Sequence, residues 1–262
     1  MIGEELIKLE IGEGTDARSV AVRSSAGAVP GIFWLGGFKS DMRGTKAEAL
    51  AAHAAVAGRA CVRFDYSGHG ESGGAFERGT ISRWAEDALT VFEQVAKGPQ
   101  IVIGSSMGGW IALLLARALA KRGKNGNTKM AGLVLIAPAP DFTETLMWPA
   151  LSTEAKREIE EKGMWMRPSA YDDGPYPITL DLIEDGRKNL LLDKPIEIGC
   201  PVRILQGVLD PDVPWQHALR LVSCLAQDDV VLTLIKDGDH RLSRPEDIER
   251  LLRAVDELAA EV

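Results

Sequence analysis

Cysteine is scarce in this sequence, and no group of metal-binding residues stands together in it. The 262 residues include only Cys61, Cys200 and Cys224, and no two of these have the spacing of a metal-ligand pair. An odd, scattered set of cysteines predicts buried or half-buried apolar side chains in a reducing compartment, which excludes a disulfide framework. We therefore expect no metal and no cofactor.

Long apolar runs and basic clusters are missing as well. No run approaches the roughly 18 apolar residues that a membrane span needs, and residues 1–14 carry acidic side chains where a signal peptide has basic and apolar regions. The net charge of −8 repels phosphate backbones and anionic headgroups. The sequence thus predicts a cytoplasmic protein that binds neither nucleic acid nor membrane surfaces.

What the sequence does contain is a regular alternation of strands and helices along one domain-sized chain. With 45% hydrophobic residues, residues 1–262 can form a single α/β domain. The later strands are near-continuous apolar runs, which is typical of parallel strands covered on both faces. Eight strands are predicted at Leu6–Ile11, Ser19–Arg23, Gly31–Leu35, Ala60–Phe64, Gln100–Gly104, Gly132–Ile136, Pro201–Gln206 and Val230–Ile235. Helical periodicity predicts helices at 44–57, 81–97, 108–122, 214–226 and 245–260.

Residues 138–199 interrupt this alternation. They show no clear strand, but they contain prolines, a charged helix-like segment at 152–162 and several large side chains. A structureless loop of this length is uncommon inside a compact domain. We therefore expect a small helical lid inserted over a mostly parallel, eight-stranded sheet that is flanked by helices.

The strongest chemical signal is the run from Gly104 to Gly109. It lies directly between a predicted strand and a predicted helix and has the pattern Gly-x-Ser-x-Gly around Ser106. A sharp turn with small neighbours holds such a serine out at the edge of the sheet as a nucleophile. Ser105 lacks this pattern because Ile103 occupies the upstream glycine position. A phosphate-binding loop is the weaker interpretation, since the run has no Gly-Lys-Ser/Thr ending.

A nucleophilic serine needs a base, and only four histidines are available. His53 and His217 fall inside predicted helices, and His69 lies in a turn after the fourth strand, where a structural role is favoured. His240 follows the strand Val230–Ile235 and a turn, which is where a base downstream of the nucleophile is expected. The sequence predicts His240 as the base.

The acid that orients the base should lie between these two residues, at the end of another strand. Asp210 lies at the turn after Pro201–Gln206, whereas Asp212 is closer to the next helix and suits a cap. Asp239 suits a loop-forming role, and Asp65 precedes the nucleophile, which is the wrong chain order. Asp210 is favoured, and Asp212 remains the alternative.

Two backbone N–H groups should stabilise the oxyanion of a tetrahedral intermediate. We expect one from Met107, directly after the nucleophile, and one from Phe38, in the glycine-rich loop after the third strand. The candidates for an acyl pocket are three large apolar side chains in and below the lid: Trp110, Trp148 and Trp165. Equally, the lid tryptophans could only pack the lid onto the sheet.

With these residues in place, the chain resembles the α/β-hydrolase superfamily over its whole length. Five segments resemble a branch of palmitoyl-protein thioesterases and acyl-glucuronide esterases and its bacterial relatives: Arg63–Gly70, Gly104–Trp110, Leu135–Phe142, Asp210–Pro214 and Asp237–Ser243. The resemblance implies the α/β-hydrolase fold, a Ser106–Asp210–His240 triad and a small-molecule ester or thioester substrate that is cleaved through an acyl-enzyme.

Two other functions are compatible with the same residues. Some serine relatives use this triad to hydrolyse a carbon–carbon bond, and a catalytically idle hydrolase fold can serve as a small-molecule receptor. Haloalkane and epoxide hydrolases of this fold need an aspartate at the elbow, and Ser106 excludes them.

Overall fold

The eight strands predicted from the sequence form one sheet in the computed structural model of the protein, which describes residues 3–122, 128–168, 174–226 and 229–262. They are β1 (Glu5–Ile11), β2 (Arg18–Ser25), β3 (Ala28–Leu35), β4 (Arg59–Phe64), β5 (Pro99–Ser105), β6 (Lys129–Ile136), β9 (Val202–Gly207) and β10 (Val230–Ile235). Two further strands of the insertion, β7 (Met164–Arg167) and β8 (Tyr176–Thr179), pair separately.

The sheet is mostly parallel, as expected. Its order is β1-β2-β4-β3-β5-β6-β9-β10. The pairs β1–β2 and β2–β4 are antiparallel, and every later pair is parallel. Because parallel strands carry their carboxyl ends to one edge, the loops after β3, β5, β9 and β10 meet there. The predicted fold class is confirmed.

Helices cover both faces of the sheet. They are α1 (Thr45–Val56), α2 (Ile81–Gln94), α3 (Met107–Arg122), α4 (Trp148–Ala150), α5 (Thr153–Lys162), α6 (Leu180–Lys188), α7 (Trp215–Cys224) and α8 (Pro245–Ala260). Alternate strand residues serve opposite faces: Val102 packs in the core on the α2 and α3 side, whereas Ile101 and Ile103 pack in the core on the α1 and α8 side. This explains the continuous apolar runs. No helix of the described ranges is both long and apolar enough to cross a membrane.

The described parts of residues 138–199, which leave out 169–173, are not purely helical. Besides α4, α5, α6 and a π-helical turn (Thr143–Met147), they contain the antiparallel hairpin β7–β8, in which Trp165 is paired with Ile178. The sequence shows no clear strand pattern here. Each strand has only four residues, and Pro177 within β8 weakens the strand signal further. The charged helix was predicted correctly as α5, which is capped by the Ser152 side chain.

Candidate active site

Ser106 occupies the sharp turn between β5 and α3. Its backbone φ is +54°, a left-handed conformation that is costly for a residue with a side chain. The turn is fixed by hydrogen bonds: the Ser106 N–H donates to the Ile136 carbonyl at 2.9 Å, and the Ser106 carbonyl accepts from Gly109 at 2.9 Å and from Ala139 at 3.1 Å. These bonds hold the strained residue at the carboxyl edge of the sheet.

The glycines on either side of Ser106 are required by close backbone approach. A Cβ at Gly108 would lie 2.1 Å from the carbonyl oxygen of Leu35, and a Cβ at Gly104 would lie 2.4 Å from that of Gly108. Neither position has room for a methyl group. The Gly-x-Ser-x-Gly pattern therefore reflects how tightly the start of α3 packs against the ends of β3 and β5.

His240 lies in the loop between β10 and α8, beside the serine. Its Nε2 is 3.0 Å from the Ser106 Oγ, and its Nδ1 is 2.8 Å from the Asp210 Oδ2. The His240 side chain is partly exposed, whereas the Asp210 side chain is fully buried. The structure thus brings together the three residues predicted for the triad, from three different loops.

The Asp210 carboxylate is held by four hydrogen bonds. Its Oδ1 accepts from the backbone N–H groups of Asp212 at 2.9 Å and Val213 at 2.8 Å. Its Oδ2 accepts from Gln206 Nε2 at 3.2 Å as well as from His240. Since a carboxylate only accepts, this arrangement places the ring proton of neutral His240 on Nδ1 and leaves Nε2 free to accept.

The other candidate acids have different partners. Asp212 is exposed, and α7 begins after Pro214 without a side-chain cap, so the predicted capping role of Asp212 is wrong. Asp239 accepts from the backbone of Leu242 at 2.9 Å, which is the loop-forming role expected of it. Potential ligand atoms of Asp210, Asp212 and His240 all lie within 4.8 Å of one another, but the Nδ1 of His240 already bonds to Asp210.

The two N–H groups predicted for the oxyanion lie in segments that flank Ser106. Met107 is the first residue of α3, where the helix dipole favours negative charge. A Cβ at Gly37, next to Phe38, would lie 3.5 Å from the Ser106 Cβ. Within the described part of the chain, neither the Phe38 nor the Met107 N–H donates a hydrogen bond.

A cavity of about 440 Å³ opens at Ser106 and His240. Phe38 and Tyr176 give it an apolar side. The rest of the lining includes three cationic residues, Lys39, Lys46 and Arg241, and the acidic Asp41. It is completed by Trp34, Ser40, Gly44, Thr45 and Ser243. Sequence reasoning missed most of these residues, because nothing in the local pattern of α1 or of the unpredicted strand β8 marks them as lining a site.

Two hydrogen bonds constrain the Lys46 side chain. Its Nζ donates to the Arg241 carbonyl and, at 3.3 Å, to the Ser243 Oγ. Burial lowers the pKa of Lys46 to about 8. This lysine therefore ties the start of α1 to the loop that carries His240.

The three tryptophans predicted for the pocket do not line this cavity. Trp110 is fully buried and donates from Nε1 to the Asn189 carbonyl at 3.2 Å. The Arg187 guanidinium carbon lies over the Trp148 ring, 5.0 Å from the ring centre. Trp165 lies on β7. These are packing contacts within the insertion and between it and α3, and the cavity at Ser106 is lined by Phe38 and Tyr176 instead of the predicted tryptophans.

Comparison with known proteins gives consistent relatives. The model of the alpha/beta hydrolase family matches residues 28–252. The mitochondrial palmitoyl-protein thioesterase ABHD10 of Homo sapiens is 37% identical over 244 residues, which cover 93% of this chain and 77% of that protein. Its Mus musculus counterpart is 39% identical over 241 residues, which cover 92% of this chain and 78% of that protein.

Solved structures agree. The crystal structure of a putative hydrolase from Agrobacterium vitis superposes with a TM-score of 0.95 at 50% identity and covers 98% of this chain and 99% of its own. The mouse alpha/beta hydrolase domain-containing protein 10 gives a TM-score of 0.85 at 36% identity, with the same coverage.

These relatives overturn one expectation. The matching thioesterases are mitochondrial proteins by name, which contradicts the cytoplasmic location predicted from the sequence. That prediction is wrong, because the composition and charge on which it depended do not encode a compartment.

Proposed function

This chain is a hydrolase of the alpha/beta hydrolase family, and from that premise we propose that it cleaves a carboxylic ester or thioester through an acyl-enzyme on Ser106. His240 is the general base and acid in this proposal, and Asp210 orients it. The observation that carries the proposal is the continuous hydrogen-bond chain from Asp210 through His240 to Ser106, with distances of 2.8 and 3.0 Å. Both distances lie within the reach that proton transfer requires.

The proposed reaction has two halves. The Ser106 Oγ attacks the carbonyl carbon and gives its proton to the His240 Nε2. The tetrahedral intermediate collapses, the bond to the leaving oxygen or sulfur breaks, and His240 returns the proton to the departing alcohol or thiol. Water then attacks the acyl-serine with His240 again as base, which releases the carboxylic acid and restores Ser106.

Charge on the intermediate needs donors that are free in the resting enzyme. The Phe38 and Met107 N–H groups meet this requirement, since neither donates to another described residue. Donors that are fixed before reaction cost no reorganisation when the oxyanion forms. We assign both groups to the oxyanion hole.

The cavity supports an acyl substrate with a polar leaving group. Phe38 and Tyr176 offer apolar ring surface for the acyl chain. The cationic residues Lys39, Lys46 and Arg241 of the same cavity offer donors to the alcohol or thiol side, and the Lys39 Nζ lies 4.6 Å from the centre of the Tyr176 ring. The ABHD10 relatives are named palmitoyl-protein thioesterases, and a fatty acyl thioester is accordingly the first substrate to test. The described parts of residues 138–199, which contribute Tyr176 to the lining, form the lid over this cavity in the proposal.

Labelling and turnover of Ser106→Ala test the proposal. The substitution should abolish fluorophosphonate labelling and lower kcat for p-nitrophenyl butyrate and for an acyl thioester by about 10⁴–10⁶. Ser105→Ala is the matched control, because Ser105 is the neighbouring strand residue outside the hydrogen-bond chain, and it should keep labelling and turnover. Near wild-type turnover in Ser106→Ala would contradict the proposal.

A further inference from the structure

His69 makes an unusual hydrogen bond to the loop after β3. Its Nε2 lies 3.2 Å from the backbone nitrogen of Lys39 and accepts that N–H. Lys39 directly follows Phe38, whose N–H is assigned above to the oxyanion hole. His69 itself comes from the loop after β4, about thirty residues further along the chain, so the contact joins two loops at the catalytic edge of the sheet.

The peptide that His69 holds is part of a strained turn. The Ser40 N–H donates to the Gly37 carbonyl at 3.2 Å, which closes a four-residue turn with Lys39 in its third position. Lys39 has a φ of +56°, the conformation that a type II turn needs there and that glycine or asparagine usually supplies. The bond to His69 adds a contact from outside the turn that stabilises this conformation of the lysine.

The tautomer of His69 fits this task. The Nδ1 lies 3.3 Å from the Ser67 carbonyl and donates to it, which leaves Nε2 with its lone pair toward Lys39. Burial lowers the pKa of His69 to about 4, so the ring is neutral near pH 7. A lone pair at this place attracts the N–H of the Phe38–Lys39 peptide and would repel its carbonyl, so it selects one of the two orientations of that peptide.

Aromatic packing fixes the ring that provides this acceptor. The His69 ring lies 5.2 Å from that of Phe76 and 5.3 Å from that of Trp84. The same two rings contact the Phe38 ring, at 5.1 and 5.8 Å. His69 and Phe38 are thus held in one cluster, and no catalytic step proposed above uses the His69 side chain.

We propose that His69 is a positioning residue for the oxyanion hole: its Nε2 anchors the loop after β3 at the Lys39 N–H and thereby holds the adjoining Gly37–Phe38 peptide, so that the Phe38 N–H faces the carbonyl bound at Ser106. This role rests on the proposed function, because an oxyanion forms only if Ser106 attacks a carbonyl. His69 does not touch the reacting atoms and transfers no proton. Its effect should therefore appear in the stabilisation of the transition state and hardly in substrate binding.

The first comparison is between His69→Phe and His69→Gln. Phenylalanine keeps an aromatic ring of similar size but has no acceptor, whereas the glutamine Oε1 can reach the Lys39 N–H. His69→Phe should lower kcat about 10- to 100-fold with KM changed less than about threefold, since losing one oxyanion donor outright costs about 10²–10³. His69→Gln should recover most of this loss.

A transition-state analogue separates positioning from general damage to the fold. A trifluoromethyl ketone forms a tetrahedral adduct with a reactive serine and places an oxyanion in the hole. Its inhibition constant should rise in His69→Phe by about the factor by which kcat/KM falls, because both report binding of the same charge. His217→Phe is the matched control, since it removes another buried histidine whose Nε2 bonds to the Pro140 carbonyl. That variant should leave both quantities unchanged.

Each outcome decides the question. Equal losses in His69→Phe and His69→Gln, a loss confined to KM, or an unchanged inhibition constant would overturn the positioning role. If His69→Phe is insoluble, His69→Asn replaces it, because the shorter asparagine side chain cannot reach Lys39. If neither His69→Asn nor His69→Gln folds, His69 is a core residue and the proposal is wrong. Turnover in Ser106→Ala would defeat the proposed function itself, whereas an inactive Ser106→Ala with a fully active His69→Phe would defeat only this inference.

Discussion

Replacing Asp210 by asparagine should reverse the proton arrangement on His240. The Asp210 Oδ1 accepts two backbone N–H groups, from Asp212 and Val213. An asparagine at position 210 must keep its carbonyl oxygen there, since an NH₂ group would face two donors. Its NH₂ group then replaces Oδ2, which accepts from His240 Nδ1 in the native protein.

The consequence reaches Ser106 through the ring. A donor opposite Nδ1 makes Nδ1 the acceptor and moves the ring proton to Nε2, 3.0 Å from the Ser106 Oγ. A protonated Nε2 cannot accept the serine proton. The imidazolium formed during attack also loses the adjacent negative charge. We expect kcat to fall by roughly 10³–10⁴, the cost of a wrong tautomer in a triad.

The assay is steady-state hydrolysis of p-nitrophenyl butyrate by Asp210→Asn, with thermal unfolding to show that the variant is folded. Asp212→Asn is the matched control, because it removes a nearby but exposed carboxylate that bonds to neither His240 nor Ser106. Its effect should stay below about tenfold, as expected for a screened charge in a solvent-exposed position. A loss below tenfold in Asp210→Asn, or a larger loss in Asp212→Asn, would refute the argument and move the acid to Asp212.

Two further predictions concern acid stability and acyl-chain selection. The pKa of His69 is about 4 in the folded protein, against 6.5 in an unfolded chain. Between these pH values only the unfolded state binds a proton at His69. The free energy of unfolding should therefore decrease as the pH drops from 6.5 to 4. His69 should contribute about 3 kcal/mol to this decrease. Urea unfolding at several pH values should show that the free energy of unfolding of His69→Gln decreases less with falling pH than that of the native protein. Parallel curves for the two proteins would contradict this prediction. If the acyl chain lies along the cavity wall, each methylene added to the acyl group of the substrate should raise kcat/KM up to roughly fourfold. Tyr176→Ala should reduce this dependence on chain length, whereas Trp148→Ser and Trp165→Ser should leave it unchanged. If the tryptophan variants reduce the dependence of kcat/KM on chain length instead, the acyl pocket is formed by the lid tryptophans.

The sequence alone determined the sheet and the order of the site residues. Strand and helix periodicities are local properties, so continuous runs such as Ile101–Ile103 predicted parallel strands buried on both faces. The Gly-x-Ser-x-Gly turn is local as well, because its glycines are required within a few residues of Ser106. Asp210 and His240 were predictable because the carboxyl ends of parallel strands meet at one edge, so chain order alone brings the loops after β9 and β10 to the serine.

Contacts between distant segments were decided only by the tertiary structure. The hairpin β7–β8 has two four-residue strands, too short for a periodic signal, and its packing brings Tyr176 into the cavity while Trp165 stays out of it. Which side chain of the insertion lines the cavity depends on how the insertion packs against the sheet. The presence of large apolar residues in its sequence does not determine that packing. The bond from Lys39 to His69 joins two loops whose sequences carry no mark of each other, because the acceptor is positioned by an aromatic cluster that exists only in the folded chain.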